Sequence, residues 1–194
     1  TDRARPSICW YSQTLGPGRG LETLCAALHL VAPQAEVHLR GSSSDTYRRH
    51  LLSLAPEPWR ERIFFHEPVT NDQLLARIAE HDIGFSGETG GIVNRNLTIT
   101  NKVLHYLTGG LAVVASNTAG TREVASQATG AIVGFAPSQA DALATALSGL
   151  LSSPLRLESA RRSALDAARR VFSWERQIPA LLAAFDQALT RPVT

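Results

Sequence analysis

The chain has 194 residues, of which 44% are hydrophobic and 19% are charged, as expected for a globular domain with a sizeable core. Its formal charge of +2 is too balanced for the basic surface of a nucleic-acid-binding protein, so we expect no nucleic-acid partner. The only cysteines, Cys9 and Cys25, do not support a disulfide framework, and we expect two buried free thiols.

The same composition bears on location and boundaries. No apolar run approaches the roughly 18 residues of a membrane span, and residues 1–6 lack a signal-peptide core, so we expect a cytoplasmic protein. Because the sequence contains no Met, we expect it to be part of a longer protein. In this interpretation residues 1–7 are a linker from a missing N-terminal domain, residues 8–172 form the main domain, and residues 173–194 form a C-terminal helix and tail.

Short apolar or alternating runs predict six strands, at residues 8–12, 35–41, 62–66, 82–86, 111–115 and 130–135. Helical spacing of apolar residues predicts helices at residues 21–31, 45–54, 71–79, 101–108, 121–126, 138–151, 155–171 and 174–189. Pro56 and Pro58 are expected to break the chain after the second helix, and residues 87–97 are expected to form a long polar loop. This alternation predicts an α/β fold with a doubly wound, mostly parallel, six-stranded Rossmann-like sheet, helices on both faces and a helical C-terminal extension.

The first strand leads into a loop rich in glycine, which reads QTLGPGRG over residues 13–20. A strand, a glycine loop and a helix in this order let the backbone approach a phosphate closely. The spacing matches neither the dinucleotide-binding pattern nor a P-loop, so an ordinary turn is the alternative interpretation.

A second phosphate contact is predicted at the start of the fourth long helix. Thr100 is expected to cap this helix through its hydroxyl, Asn101 and Lys102 begin it, and Gly109-Gly110 ends it. A helix N-terminus that faces the strand ends attracts anions through its free N–H groups and its dipole. The apolar run that follows predicts a strand buried on both faces.

Four segments, in order, resemble the C-terminal donor-binding domain of retaining GT-B glycosyltransferases of group 1. They are SQTLGPGRGLE, NKVLHYLTGGLAVVAS, TAGTREV and FSWERQ. The resemblance covers nearly the whole chain. It implies transfer of a sugar from a nucleoside diphosphate sugar, of UDP or GDP type, to an unknown acceptor, with no metal or other cofactor required. It also implies a missing N-terminal Rossmann-like domain of the same chain.

The resemblance implies a donor site in three parts. The diphosphate would lie against Gln13, Gly16, Gly18, Arg19, Thr100, Asn101 and Lys102. The ribose and base would lie against His66, Glu67, Val69 and His105, and the donor sugar near Glu88. No catalytic residue and no metal ligand are assigned.

Three departures from the family pattern concern the expected donor site. Gln13 stands where the family has an arginine, and His105 stands where it has the glutamate that binds the ribose hydroxyls. Leu97 stands where a first glutamate is expected, and Glu88 is a candidate to supply that acid. A neutral imidazole accepts one hydrogen bond and donates one, so His105 is expected to bind the ribose at reduced strength. The alternative is a histidine that packs against Tyr106 or water.

Other interpretations of the whole chain stay open. A sugar-nucleotide epimerase shares the two-domain architecture, and a catalytically inactive nucleotide-binding scaffold would fit the departures at Gln13 and His105. The remaining histidines have no metal-ligand spacing and are expected at the surface or at strand edges; they are His29, His38, His50 and His81. Paired arginines at 161–162 and 169–170 indicate a solvated helix face, with contact to an anionic membrane surface as the alternative.

Overall fold

The computed structural model describes residues 5–89 and 93–190, which form one parallel sheet with helices around it. The strands are β1 (Ser7–Thr14), β2 (Glu36–Ser42), β3 (Ile63–His66), β4 (Ile83–Ser86), β5 (Ala112–Ser116) and β6 (Ile132–Phe135). All pairings are parallel, in the order β3-β2-β1-β4-β5-β6. The predicted Rossmann-like α/β fold is therefore confirmed, and no strand end differs from its predicted position by more than two residues.

Helices connect the strands and extend the chain after β6. They are α1 (Leu21–Ala27), α2 (Asp45–Leu54), α3 (Glu57–Arg60), α4 (Asn71–Ile78), α5 (Val93–Leu97), α6 (Asn101–Thr108), α7 (Ala119–Gln127), α8 (Ala140–Leu151), α9 (Pro154–Ala167) and α10 (Trp174–Thr190). A 3₁₀ turn at Leu28–Leu30 prolongs α1, and a π-helical turn at Ala168–Phe172 prolongs α9. Within residues 5–89 and 93–190, no helix has the length and apolar character that crossing a bilayer requires.

The core has two halves, one on each face of the sheet. Side chains alternate along a strand, so Trp10 of β1 packs in one half while Cys9 and Tyr11 pack in the other. All five residues of β5 are buried, which explains its unbroken apolar sequence. Helices α1 and α8 cover the first half, and α6 covers the second.

The strand order reverses at β1, which pairs with β2 on one side and with β4 on the other. In open parallel sheets ligands bind beyond the carboxyl ends of the strands at such a reversal. Helix α6 lies directly on β4 there: a Cβ added to Gly84 would be 2.2 Å from the Tyr106 ring. The Tyr106 hydroxyl donates to the carbonyl of Phe85 at 3.0 Å, which fixes α6 against the end of β4.

Two short helices differ from the prediction. Pro58 does not simply break the chain, because it lies in the first turn of α3. Backbone N–H groups in the first turn have no partner within the helix, so the missing N–H of proline costs no helical hydrogen bond there. Trp59 of α3 is buried, and its Nε1 donates to the carbonyl of Val31 at 3.0 Å. Helix α5 lies in the predicted loop 87–97, of which residues 90–92 fall outside the described residues. None of its side chains is buried, so no apolar periodicity could indicate it.

The prediction of a surface or strand-edge position is wrong for His81. Its side chain is buried, and Nδ1 lies 3.1 Å from Ser7 Oγ. The ring of His38 packs 4.7 Å from that of His81, and His38 Nδ1 lies 2.9 Å from His66 Nε2. These three histidines form a cluster across β2, β3 and the residues before β4, in which His38 stacks on His66 and is tilted against His81. By contrast, His29 and His50 are exposed, as predicted.

Helix α10 has no buried residue along its described length. Its exposed apolar side chains include Trp174, Leu181, Leu182, Phe185 and Leu189. The predicted C-terminal helix is therefore present from Trp174 to Thr190, and residues 191–194 lie outside the described residues. The assignment of residues 1–7 and 173–194 to separate segments stays a prediction.

Candidate functional site

A cleft of about 400 Å³ opens at the carboxyl ends of the central strands. Four parts of the chain form it: the end of β1, Arg40 near the end of β2, the segment from β3 into α4, and the first turns of α6. Its lining residues are Tyr11, Ser12, Gln13, Arg40, Pro68, Val69, Asn71, Leu74, Asn101, Lys102 and His105. The cleft therefore lies at the strand-order reversal, where the fold is expected to bind a ligand.

The structure brings the two segments with predicted phosphate contacts together. Gln13, from the loop after β1, lines the same cleft as Asn101 and Lys102 at the start of α6. Val69 and His105, predicted near the ribose and base, line it as well. These five residues come from three segments far apart in sequence, which meet because parallel strands end at one edge of the sheet.

The glycine loop lies beside this cleft and is tied to the segment after β4. Gly20 adopts a left-handed conformation with φ 78°, and a Cβ there would be 2.4 Å from the carbonyl oxygen of Gly87. The carbonyl of Gly18 accepts a 2.6 Å hydrogen bond from Arg95 of α5. Arg19 is exposed and donates to the hydroxyl of Ser12, a cleft residue, at 3.2 Å. Gly16 is not among the lining residues.

Lys102 is one of the two cations that line the cleft, the other being Arg40. Burial lowers the pKa of its amino group; among nearby charges, Glu88 raises this pKa while Arg19 and Arg95 lower it. Three positive charges therefore gather near one acid at this edge. An anion bound among them would relieve their mutual repulsion.

Thr100 does not cap α6 as predicted. It occupies the N-cap position, but its side chain makes no capping hydrogen bond. Its hydroxyl instead lies 3.4 Å from that of Ser86 at the end of β4. The first amides of α6 therefore receive no bond from the Thr100 side chain, which suits an anion site at this helix start.

The segment after β3 contributes less than its sequence implies. The side chain of His66 is directed to His38, outside the cleft lining. The carboxylate of Glu67 pairs with Arg48 at 3.0 Å, and the Glu67 carbonyl accepts from Arg40 at 2.9 Å. Roles of His66 and Glu67 in binding a ribose or base stay predictions.

Glu88 lies next to the cleft on the side of β5. Its backbone N–H donates to the hydroxyl of Ser116 at 2.9 Å. It borders a separate small depression with Gly20, Thr23 and Ser138. Its carboxylate acts on the pKa of Lys102, so it is electrostatically part of the cation group. A role toward the donor sugar stays a prediction.

His105 is held by Tyr11 and not by Tyr106. The Tyr11 hydroxyl lies 2.7 Å from His105 Nδ1, and the two rings stack with centroids 5.8 Å apart and an interplanar angle of 21°. Burial lowers the pKa of His105 and raises that of Tyr11, so both side chains are neutral near pH 7.

Sequence reasoning did not identify Tyr11, Ser12 and Arg40 as cleft residues. Alternation along β1 places Tyr11 on the same face as Cys9, which could have indicated its side of the sheet. Its pairing with His105, 94 residues away, has no local signal. Within the described ranges, no group of three or more His, Cys, Asp or Glu side chains is arranged to hold a metal ion.

A family model described as glycosyl transferases group 1 matches residues 5–153, more than half of the chain. The match includes the glycine loop, the segment after β3 and the whole of α6. It therefore contains every residue that lines the cleft. No curated protein sequence shows a significant match to the chain.

Solved structures share the fold at low sequence identity. A glycosyltransferase from Rickettsia africae aligns with a TM-score of 0.77 at 15% identity over 98% of this chain and 49% of that one. Alr3699/HepE from Anabaena, in complex with UDP, aligns with a TM-score of 0.75 at 18% identity over 93% of this chain and 49% of that one. Sucrose-phosphate synthase from Thermosynechococcus elongatus aligns with a TM-score of 0.74 at 21% identity over 95% of this chain and 46% of that one. The chain thus spans about half the length of these relatives, and identities this low show the fold alone.

Proposed function

The chain belongs to the glycosyl transferases group 1 family, and from this premise we propose that it is the donor-binding half of a glycosyltransferase. In this proposal a sugar moves from a nucleoside diphosphate sugar to an acceptor. The chain provides the cleft that binds the nucleotide and the diphosphate. The second wall of the active site belongs to an N-terminal domain of the same protein.

The observation that carries the proposal is the position of Lys102. It stands in the first turn of α6, lines the cleft at the strand-order reversal, and lies among the charges of Arg19 and Arg95. A helix start combined with several cations suits a ligand with two or more negative charges. The cleft is also large enough for a small organic ligand such as a nucleotide.

These charges suggest how the chain would assist the reaction. When the bond between sugar and diphosphate breaks, negative charge grows on the leaving phosphate oxygens. Lys102, Arg19 and the free amides of α6 would stabilise this charge without having to reorganise. We propose that this electrostatic contribution replaces a metal ion. Nucleotide affinity is then expected to be the same with Mg²⁺ as with a chelator.

One comparison supports a nucleoside diphosphate as the ligand. The Anabaena structure that shares this fold contains UDP. A ligand of that kind would place its phosphates near Lys102 and Gln13 and its ribose toward His105 and Val69.

We expect the isolated chain to bind a nucleotide without turning over a nucleotide sugar. Only one wall of the cleft is present, so water reaches the phosphates and binding is weak. Calorimetry with UDP, GDP, ADP and dTDP at concentrations up to about millimolar tests the binding part. An absence of binding by all four would contradict the donor site, and steady turnover by the chain alone would contradict the half-cleft argument.

The full-length protein tests the reaction class. Incubation with a panel of nucleotide sugars and acceptors should release free nucleoside diphosphate in proportion to the sugar transferred. An epimerase would interconvert the sugar and release no nucleotide in that proportion, and a scaffold would bind without either change. Lys102→Ala in the full-length protein should slow release, because the leaving diphosphate loses a stabilising charge.

A further inference from the structure

We propose that Tyr11 is a positioning residue that fixes one tautomer of His105, so that the imidazole offers an N–H at Nε2 to an oxygen atom of the ligand. The identity of the ligand as a nucleotide rests on the proposed function above. The choice of tautomer does not, since it follows from contacts within the chain.

Tyr11 and His105 hold each other in a fixed geometry. Tyr11 belongs to β1 and His105 to α6, and both line the cleft. The 2.7 Å separation between the hydroxyl and Nδ1 is that of a strong hydrogen bond, and the nearly parallel rings hold the imidazole plane in one orientation. Tyr11 is largely buried, so water competes poorly for this bond.

The chemistry of the two groups decides which of them donates the hydrogen bond. A phenol hydroxyl is a better donor than the N–H of a neutral imidazole, and the imidazole nitrogen is a better acceptor than a phenol oxygen. Both groups are neutral near pH 7, because burial disfavours the charged form of each. The Tyr11 hydroxyl therefore donates to Nδ1, and the single ring proton of His105 resides on Nε2.

The other ring nitrogen of His105, Nε2, is available to a ligand. In the part of the chain that the structure describes, no hydrogen bond to His105 Nε2 is found, while every buried side-chain nitrogen or oxygen has a partner. An unpartnered Nε2 on this half-buried side chain is therefore open to solvent. Since His105 lines the cleft, this N–H is accessible to a bound ligand.

The consequence concerns ligand recognition. A fixed N–H at Nε2 selects an acceptor: a hydroxyl, ether or carbonyl oxygen. A ribose hydroxyl can accept from it, whereas a group that only donates hydrogen bonds cannot. His105 thus binds the ligand by donating, in contrast to the carboxylate that accepts at this position in the family that the sequence resembles.

The tautomer can be measured directly. Two-bond ¹H–¹⁵N correlation spectra of the ¹⁵N-labelled chain at about pH 7.5 distinguish protonated Nε2 from protonated Nδ1 for each of the six histidines. The His105 signals are those that vanish in His105→Gln. We expect the proton on Nε2 in the native chain and a mixture of both tautomers in Tyr11→Phe. A proton on Nδ1 in the native chain, or an unchanged spectrum in Tyr11→Phe, would overturn the proposal.

Ligand binding gives the second readout. Tyr11→Phe should weaken the nucleoside diphosphate about threefold and leave its 2′,3′-dideoxy analogue unaffected. His105→Gln, which keeps a side-chain N–H near the position of Nε2, should retain most of the affinity, and His105→Ala should lose about fivefold. Equal losses for the two ligands in Tyr11→Phe would show a merely structural role and overturn the proposal.

The two tests fail independently. If no nucleotide binds to the native chain, the proposed function is wrong, while the spectra still determine the tautomer. If the nucleotide binds and the proton is on Nδ1, the proposed function is supported and the proposed role of Tyr11 is wrong. Thermal unfolding of Tyr11→Phe followed by circular dichroism confirms that the variant is folded before either result is used.

Discussion

The amino group of Lys102 lies 5.4 Å from the centre of the indole ring of Trp10. Trp10 is almost fully buried in β1, the strand at which the sheet reverses its order, and the cation therefore lies against this strand. The aromatic face attracts a positive charge, whereas partial burial disfavours one. This lysine is therefore held in a defined position in which burial destabilises its charged form. A bound anion would stabilise that form again.

The first prediction concerns the phosphate charges. Lys102→Ala and Arg19→Ala should each weaken a nucleoside diphosphate about tenfold or more, because a charge-assisted contact contributes roughly 1.5–3 kcal/mol. Affinity for the bare nucleoside should barely change. Calorimetric titration of both ligands measures the difference. Arg49→Ala is the matched control, since Arg49 is exposed on α2 and outside the cleft. Equal losses for nucleoside and diphosphate would mean that the two residues support the fold instead.

The second prediction concerns pH. Burial lowers the pKa of Lys102 from its ordinary value of 10.5, so the charge of the free protein's lysine is lost as pH rises through a pKa below that value. A bound phosphate favours the charged amine and raises this pKa again, so affinity should begin to fall at a pH below 10.5. Titrations between about pH 7 and pH 10 measure this. Lys102→Arg should bind with little change over the same range, and a parallel decline in that variant would assign the effect to another group.

The third prediction concerns the contact between β4 and α6. A Cβ at Gly84 would lie 2.2 Å from the Tyr106 ring, and both residues are enclosed by the core. Gly84→Ala should destabilise the fold by about 1–3 kcal/mol through overpacking. In Gly149→Ala, within α8, the new methyl group has only an ordinary 3.4 Å contact with the Arg156 side chain of α9, so this control should gain about 0.5–1 kcal/mol. Urea unfolding measures both changes, and a neutral Gly84→Ala would show that Tyr106 can shift.

The fourth prediction concerns the two thiols. Burial raises the pKa of Cys9 and of Cys25 to about 12, from an ordinary value of 9.0. At about pH 8 the thiolate fraction is then about a thousandfold lower than in the unfolded chain, since each pKa unit is a factor of ten. A chromogenic disulfide reagent should label neither thiol in the native protein and both together in denaturant. Rapid labelling of one thiol without denaturant would reveal local opening on its side of the sheet.

The strands were predictable because the burial of each strand in a parallel sheet determines the pattern of apolar residues along it. Strand β5 is buried on both faces and therefore consists only of apolar and small residues, while β2 alternates. The glycines at 109–110 marked the end of α6, where Gly110 adopts φ 72°. Such signals depend on residues that are neighbours in sequence, so they can be recognised without any knowledge of the tertiary structure.

The parts that escaped prediction depend on contacts between distant residues. His81 is buried because Ser7, 74 residues earlier, supplies a hydroxyl to its ring and His38 packs against it. Pro58 begins a helix because Trp59 is anchored to Val31, and a proline alone does not reveal such an anchor. In the cleft, the positions of Gln13 and Lys102 followed from the rule on strand ends. The partner of His105 could not be predicted in this way, because a hydrogen bond between two distant elements produces no periodic pattern in the sequence.

The central position of β1 sets the order in which the sheet can assemble during synthesis. The backbone N–H of Ser7 donates to the carboxylate of Asp82, 75 residues later, at the start of the pairing between β1 and β4. At the roughly 5–20 residues that a ribosome adds per second, one edge of this apolar strand waits for its partner for about 4–15 s. The half made of β1, β2 and β3 emerges first, with Ile8 and Trp10 still uncovered by the later helix α8. Nascent chains arrested between β3 and β4 should therefore be bound by chaperones that recognise exposed apolar strands.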